Sequence, residues 1–327
     1  SVFSDMLASP GTMLFWMLLV VVMGIAVCSL GLENGVERIT KWMMLALLVL
    51  LVILAVHCLT LPGAGAGLKF YLVPSLARVR EVGLFNVIVA AMNQSFFTLS
   101  IGIGSMAIFG SYLDKAHSLT GESIRIAALD TFVAIVAGLI IFPACFSFGV
   151  EPGSGPGLVF ITLPNVFNAM AGGRVWGALF FLFLFFAALS TVIAVFENII
   201  ALGMDNFGWS RKKSSLLNFI VLAAGSIPCV LGFNLWAGFT PFGAGSNVLD
   251  LEDFLVSNLL LPGGSLVYLL FCVKKRGWGF ENFLAETNTG KGIKMPRWVS
   301  LWLNYGLPLI VLFLLLYGLW AKFAPAA

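Results

Sequence analysis

Long apolar segments alternate with short polar stretches along nearly the whole chain. Eight such segments run near residues 12–31, 42–60, 85–116, 122–149, 174–204, 214–236, 251–273 and 299–321. A helix of about 20 apolar residues is long enough to cross the hydrocarbon core of a bilayer, whereas a membrane β-barrel is built from shorter strands of alternating polarity. The pattern therefore predicts an all-α polytopic membrane protein.

Composition supports this class and argues against several others. Hydrophobic residues make up 60% of the chain and charged residues 10%, and the mean hydropathy is +1.02, whereas soluble domains carry roughly 25% charged residues. The five cysteines form no Cys-x-x-Cys pair, which argues against a disulfide framework or a thiolate metal site. The sequence contains no nucleophile–base pair and no His/Asp metal cluster of the kind that indicates an enzyme. Basic residues in the loops account for the net charge of +3, so the charge does not indicate a nucleic-acid partner.

Lysine and arginine are divided unequally between alternate loops. One set contains Arg38, Lys41, Lys115, Arg125, Arg211, Lys212, Lys213, Lys274, Lys275, Arg276, Lys291, Lys294 and Arg297, and the other contains Lys69, Arg78, Arg80, Arg174 and Lys322. Thirteen basic residues against five assign the first set to the cytoplasm, so both ends of the chain are predicted to lie outside. Because residue 1 is not methionine, we expect the chain to be the tail of a longer protein.

The third apolar segment is interrupted by polar residues and glycines over residues 94–105. Thr98 and Ser100 precede Gly102 and Gly104, and glycine tolerates the backbone angles of an unwound stretch. A break at membrane depth persists only where it lines a cavity or is buried in protein, and its carbonyls can face a cation. The alternative is a kinked helix whose hydroxyls bond back to their own backbone.

Further polar groups lie inside the fourth, fifth and seventh segments. Asp130 is a carboxylate at membrane depth, which costs several kcal/mol unless it is paired; the alternative is a helix-start aspartate near the interface. Ser190 and Thr191 follow the Ala187 carbonyl by about one turn, and such neutral oxygens suit a hard monovalent cation, although small residues also allow close helix packing. Acidic residues at 250, 252 and 253 fit helix capping.

Two motifs carry a family resemblance. Residues 96–105, FFTLSIGIGS, and residues 185–195, FFAALSTVIAV, resemble the neurotransmitter:sodium symporter family, particularly its bacterial leucine transporter-like amino acid symporters. The resemblance runs from the family's helix 4 to helix 11. It implies a leucine transporter-type inverted-repeat helix bundle lacking its first three helices. The first implied domain, 1–84, contains the last two helices of the first repeat and an extracellular loop. The second, 85–273, is the second five-helix repeat, with a broken helix near 99–104. The third, 274–327, contains a cytoplasmic loop and the final helix.

The resemblance also implies a role for individual residues. Thr98 and Asp130 would bind the first sodium ion, and Ala187, Ser190 and Thr191 the second. The substrate pocket would comprise Phe97, Thr98, Ser100, Ile103, Thr191 and Val195, with Phe97 as an aromatic lid. Asp253 matches the outer gate, and Asp205, Ser111 and Tyr112 match the inner gate. The family usually has asparagine at position 130 and, in chloride-dependent members, serine at position 134; here the residues are aspartate and alanine, so chloride should be unnecessary.

The implied function is sodium-coupled symport of a hydrophobic or aromatic L-amino acid across the plasma (inner) membrane of a bacterium, by alternating access. Two sodium ions are expected and no chloride. The expected partners are the amino acid, sodium, the lipid bilayer and the missing N-terminal helices of the same protein, with no nucleic acid. Two alternatives stay open: a transport-inactive fragment or assembly subunit, because the first helix that would complete the sites is missing, and a channel, which needs a continuous polar track.

Overall fold

The helices account for almost all regular structure in the chain. The computed structural model describes residues 2–31, 36–150, 152 and 156–323. Within them the α-helices are α1 (Val2–Ala8), α2 (Pro10–Ser29), α3 (Arg38–Leu59), α4 (Ala64–Leu72), α5 (Leu76–Val82), α6 (Leu84–Thr98), α7 (Ser105–Tyr112), α8 (Leu119–Ser147), α9 (Leu163–Ala169), α10 (Gly173–Phe207), α11 (Arg211–Gly232), α12 (Val248–Phe254), α13 (Leu261–Val273), α14 (Phe280–Thr287), α15 (Val299–Leu301) and α16 (Leu307–Phe323). One isolated parallel bridge joins His117 and Lys291.

Seven helical stretches in the described residues are long and apolar enough to span a membrane. They are Pro10–Ser29, Arg38–Leu59, Leu119–Ser147, Gly173–Phe207, Arg211–Gly232, Val248–Val273 and Val299–Trp320. Each corresponds to one of the eight apolar segments of the sequence. The remaining segment, 85–116, is divided into α6 and α7, which contain 15 and 8 residues and are each too short to cross alone. The protein is therefore an all-helical, multi-pass membrane protein.

Three π-helical turns in the described residues are followed by proline. These turns are Leu158–Thr162, Leu255–Leu260 and Trp302–Gly306, and the prolines are Pro164, Pro262 and Pro308. Proline lacks an amide N–H and clashes with the carbonyl four residues earlier. A π-turn widens the helix at that point and so relieves both problems without ending the helix.

Residues 1–76 and 131–238 form one compact unit. Its helix α10 packs against α2, α3, α9 and α11. The core is apolar and buried, with Leu51, Leu54 and Cys58 on α3, Leu163 and Val166 on α9, and Phe180 and Phe183 on α10. Many large apolar side chains elsewhere on these helices are exposed, as expected of surfaces that face lipid.

Residues 77–130 and 239–327 form the second compact unit. In it α13 packs against α14 and α16, and α6 contacts both α13 and the π-turn that precedes it. The Tyr317 hydroxyl donates a 2.8 Å hydrogen bond to Asn86 Oδ1, which ties α16 to α6. The domain boundaries at residues 84 and 273, which follow the family's repeats, stay a prediction, and the chain ends, residues 1 and 324–327, lie outside the described residues.

Candidate ion and substrate sites

The break between α6 and α7 is a turn built from left-handed residues. Ser100, Gly102 and Gly104 have φ angles of 50°, 94° and 95°, a region that glycine enters at no steric cost and serine enters only with strain. The amide of Ile101 donates to the carbonyl of Phe96 at 3.0 Å, which closes the end of α6. The break lies within the stretch where the sequence predicts an interruption.

A backbone contact with α13 holds this turn in place. A Cβ atom on Gly264 would lie 2.3 Å from the Gly102 carbonyl oxygen, and one on Gly102 would lie 2.3 Å from the carbonyl oxygen of Leu261. Real Cβ atoms do not approach other atoms so closely, so both positions require glycine. The unwound segment is therefore packed directly against the backbone of a spanning helix.

Thr98 and Asp130 meet beside the break. The Thr98 hydroxyl donates a 2.8 Å hydrogen bond to Asp130 Oδ1. Asp130 lies in the interior of α8, which begins at Leu119, so it is not a helix-start residue. The nearby Arg125 guanidinium instead bonds Glu122 Oε1. The structure thus places a carboxylate oxygen and a threonine hydroxyl side by side at the end of an interrupted helix, two of the oxygen ligands that hard cations prefer.

A second group of oxygens lies on α10. The hydroxyls of Ser190 and Thr191 both donate to the Ala187 carbonyl, at 2.8 and 3.2 Å. Such back-bonding is ordinary for serine and threonine in helices, and it leaves the lone pairs of both hydroxyl oxygens able to accept a cation. Among the described residues no group of three His, Cys, Asp or Glu side chains could hold a metal ion.

An apolar cavity of about 450 Å³ lies beside the unwound turn, within the second unit. Ser100 and Gly102 contribute to its wall together with Ser265 and Tyr268 of α13, and most of the remaining lining is apolar. Ser105, at the start of α7, is buried, and its hydroxyl has no hydrogen-bond partner within the described residues. The break therefore adjoins space for an apolar group.

The other residues assigned to the substrate pocket are divided between the two units. Phe97 is 54% exposed and Ile103 is also exposed, and both belong to the second unit. Thr191 and Val195 belong to the first. Their assembly into one substrate pocket stays a prediction.

Two of the predicted gate residues, Asp253 and Ser111, have local hydrogen-bond partners. Asp253 accepts a 3.0 Å hydrogen bond from Ser257, one turn along the same helical stretch. The Ser111 hydroxyl donates to the Ile108 carbonyl at 2.7 Å, while Tyr112 and Asp205 are exposed. Within the described part of the chain neither Asp253 nor Asp205 forms an ion pair. Their roles in gating therefore stay a prediction as well.

The acidic cluster within α12 includes part of a helix cap, as its position predicts. Asp250 and Asn247 form a capping box in which each side chain accepts the other residue's amide, at 2.7 and 3.2 Å. Two amides at the helix start are thereby satisfied.

Sequence reasoning missed a buried ion pair in the first unit. Glu197 on α10 is completely buried, and both of its carboxylate oxygens accept from Arg211, at 2.7 and 2.9 Å. Arg211, the first residue of α11, also donates to the Cys28 carbonyl of α2 at 2.7 Å. This fork joins three helices. The signal was available, because Glu197 interrupts the apolar segment 174–204 just as Asp130 interrupts its own, and a basic run begins 14 residues later.

These features define a polytopic helical membrane protein with a discontinuous helix and polar groups at membrane depth, the construction typical of a secondary transporter. The sequence matches the model of the Sodium:neurotransmitter symporter family over residues 2–326. The chain belongs to this family, and it is therefore part of a transporter rather than an enzyme.

Individual relatives agree with this assignment. The chain is 32% identical to an uncharacterized sodium-dependent transporter of Haemophilus influenzae, over 95% of its own length and 66% of the relative's. It is 32% identical to the sodium-dependent transporter YhdH of Bacillus subtilis, over 98% and 70%. The crystal structure of MhsT in complex with L-phenylalanine matches with a TM-score of 0.82 and 36% identity, over 97% of this chain and 70% of MhsT. The chain thus spans about two thirds of the length of these relatives.

Proposed function

We propose that this chain is the larger part of a sodium-coupled symporter that carries a hydrophobic or aromatic L-amino acid, and that the Thr98–Asp130 pair is its half of the first sodium site. The pair carries the proposal because it sets a carboxylate beside a hydroxyl at the end of a broken helix. A carboxylate at membrane depth is costly, so its presence there favours a functional role. Sodium-dependent relatives support the choice of ion.

The chemistry of the pair suits sodium. The Asp130 carboxylate supplies negative charge and Thr98 supplies a neutral oxygen, which are ligands for a small hard cation. The Thr98 hydroxyl donates to the Asp130 carboxylate and so keeps the two oxygens adjacent. When sodium binds, the hydroxyl turns its lone pair toward the ion. The carboxylate also supplies the negative charge for which chloride-dependent relatives use an anion, so we propose transport without chloride.

The second sodium ion would bind the oxygens of Ala187, Ser190 and Thr191, which already lie together on α10. The substrate pocket would include Phe97, Ser100, Ile103 and Val195. These side chains are aromatic, small or aliphatic, which favours an apolar substrate, and the L-phenylalanine bound by MhsT agrees with that class.

The remaining parts of the mechanism follow the family. We propose that the segment 85–273 is the second of two inverted repeats and that three N-terminal helices, outside this chain, complete both ion sites and hold the substrate's ammonium group. Asp253 would close the outer gate, and Ser111, Tyr112 and Asp205 the inner gate. Ion and substrate binding would then shift the population from outward-open to inward-open states, driven by the sodium gradient.

The test uses the intact transporter that contains this chain, reconstituted into liposomes with an inward sodium gradient. We expect uptake of radiolabelled phenylalanine that requires sodium and persists when gluconate replaces chloride. The Asp130→Asn variant should lose sodium-stimulated uptake, and adding Ala134→Ser should make the remaining uptake depend on chloride.

The matched control is Asp5→Asn, the same change at an exposed carboxylate of α1. It should leave uptake and its sodium dependence intact. Uptake that stops when chloride is removed from the wild type, or Asp130→Asn that keeps the wild-type sodium response, would refute the proposed role of Asp130.

A further inference from the structure

A cavity of about 580 Å³ with both polar and apolar walls lies within the second unit, where α13 ends and the last membrane-spanning stretch begins. It is distinct from the ion sites and from the apolar cavity beside the helix break. Two consecutive lysines, Lys274 and Lys275, line it together with the aromatic side chains of Trp278 and Tyr305. By the distribution of basic loops it belongs to the cytoplasmic side.

Lys274 is held in this cavity by a hydrogen bond to the neighbouring helix. Its ammonium donates to the carbonyl of Asn304, which lies in the π-turn before Pro308, at 3.1 Å. It also lies 4.9 Å from the ring centroid of Tyr305. An ammonium has three donors, so this bond positions the charge and uses only one of them.

The loop around the cavity is strongly basic. Between residues 274 and 298 the sequence has six lysines and arginines against two glutamates. Glu281, which also lines the cavity, lies 3.6 Å from Arg297. The carboxylate is therefore offset by its own partner, and the charge of the two lysines is left to attract an anion.

Exposed aromatic side chains mark this region as the membrane surface. Trp278, Tyr305 and Trp298 are 40%, 63% and 75% exposed. Tryptophan and tyrosine are enriched where the headgroups meet the hydrocarbon, because their rings are apolar and their N–H or O–H groups are polar. Val273 and Phe280 add apolar wall to the same cavity. A ligand here meets cationic, aromatic and apolar groups together.

We propose that this cavity binds the phosphate of an anionic phospholipid headgroup, with Lys274 and Lys275 as the phosphate-binding residues. Basic pockets on the cytoplasmic side of membrane proteins attract acidic headgroups. A soluble phosphate would use only the two ammonium groups, whereas a phospholipid also places its glycerol and upper acyl chain against the apolar wall. The inference is independent of substrate and sodium, so it stands or falls separately from the proposed transport function.

The experiment measures lipid binding to the delipidated, purified transporter by native mass spectrometry. Phosphatidylglycerol is titrated against phosphatidylcholine with the same acyl chains. We expect one phosphatidylglycerol to bind more tightly than the rest. Lys275→Gln should weaken that binding about fivefold, the equivalent of about 1 kcal/mol for one basic residue near a lipid surface, and Lys275→Arg should retain it. The Lys274→Gln/Lys275→Gln double variant should weaken it further.

The control is Lys212→Gln, which removes an exposed lysine of α11 and the same charge but lies outside the cavity. It should leave the tight phosphatidylglycerol site unchanged. Equal affinity in Lys275→Gln and Lys212→Gln overturns the proposal. A large excess of inorganic phosphate that displaces phosphatidylglycerol and binds with similar affinity overturns the lipid assignment, because the soluble anion alone would then fill the site. Since Lys274 also holds a backbone carbonyl, melting temperatures of every variant accompany the titration.

Discussion

Glu197 and Asp130 both carry a carboxylate in the interior of an apolar helix, and their surroundings are opposite. Glu197 is fully buried and both of its oxygens are bonded by Arg211. Asp130 is partly exposed, and the partner that it accepts from is the neutral hydroxyl of Thr98. The charge of Glu197 is therefore neutralised by a neighbouring side chain of the same protein. Asp130 receives a hydrogen bond from Thr98, but this neutral hydroxyl does not neutralise its charge.

The difference separates a structural ion pair from a site that can take an ion. A bidentate guanidinium–carboxylate pair fixes geometry strongly, and it leaves no place for another cation. A neutral hydroxyl does not neutralise the carboxylate that it bonds, so the cost of removing that carboxylate from water is only partly offset. Binding of a cation would offset the rest. Thr98, the partner of Asp130, is the last residue of α6 before the unwound turn, whereas Glu197 lies within continuous helix.

The largest expected effect comes from breaking the buried pair. Arg211→Ala leaves the Glu197 carboxylate buried without its counter-charge, and removal of one partner of a buried pair typically costs about 3–5 kcal/mol. We expect a severe loss of stability in thermal unfolding of the detergent-solubilised protein. The double variant Glu197→Gln/Arg211→Met should regain most of that loss. The neighbouring Lys212→Ala is the control, and a single variant no less stable than this control would contradict a structural role for the pair.

The next effect tests whether the Asp130 region is as rigid as its glycine contact indicates. Gly264→Ala places a Cβ atom 2.3 Å from the Gly102 carbonyl oxygen, so the turn or α13 must move, at a cost of about 1–3 kcal/mol for overpacking. Gly263→Ala is the matched control, because its Cβ would meet only Leu315 Cδ1 at 3.6 Å. Melting curves of the two variants should differ clearly; equal curves would mean that the turn yields easily.

A smaller effect is expected when Asp130 loses its hydroxyl partner. Thr98→Val removes the 2.8 Å hydrogen bond, which is worth about 1 kcal/mol, and it removes one proposed sodium ligand. We expect a slight loss of stability without sodium and a much reduced stabilisation on adding sodium. Thr98→Ser, which keeps the hydroxyl, should restore the response to sodium. A Thr98→Val variant that sodium stabilises as strongly as the wild type would remove Thr98 from the ion site.

The smallest effect on stability is expected on α10. Thr191→Ala removes one of the two hydroxyls that bond the Ala187 carbonyl, and back-bonding contributes little to helix stability. Sodium affinity should fall nevertheless, because a site of neutral oxygens loses a ligand. Ser226→Ala is the control, since Ser226 bonds back to Leu222 in the same way on α11 but has no proposed ion role. If both variants keep the same sodium affinity, Thr191 is not a ligand.

Much of the architecture follows from short-range pattern. The length of each apolar segment predicts a spanning helix, and Gly102 and Gly104 predict the break. Both signals are contained within one continuous segment of the chain. The family resemblance assigns Thr98 and Asp130 to one ion site, and the structure joins them by a hydrogen bond. That assignment came from motif position, since the sequence spacing of 32 residues carries no contact information.

The features that escaped prediction depend on contacts between distant segments. Glu197 and Arg211 belong to different helices, and Cys28, which completes their fork, lies more than 160 residues earlier. The contact of Gly102 with Gly264 likewise joins the unwound turn to a distant helix. Three π-turns have a local signal in the proline that follows them, but Pro143 and Pro228 lie inside α8 and α11 with no π-turn assigned. Proline alone therefore does not decide between the two outcomes.

The π-turn at Leu255–Leu260 has a consequence for how its helix presents side chains. A π-turn contains about one residue more than an α-turn, and successive residues of an α-helix are separated by about 100° around the axis. The extra residue therefore rotates everything after it relative to everything before it. Ser265 faces a direction relative to Asp253 that an uninterrupted α-helix would not give it. Deleting one residue between 255 and 260 would regularise the helix and leave its composition nearly unchanged. It would also rotate the face that carries Gly264 away from the broken turn, so that Gly264 would no longer contact Gly102.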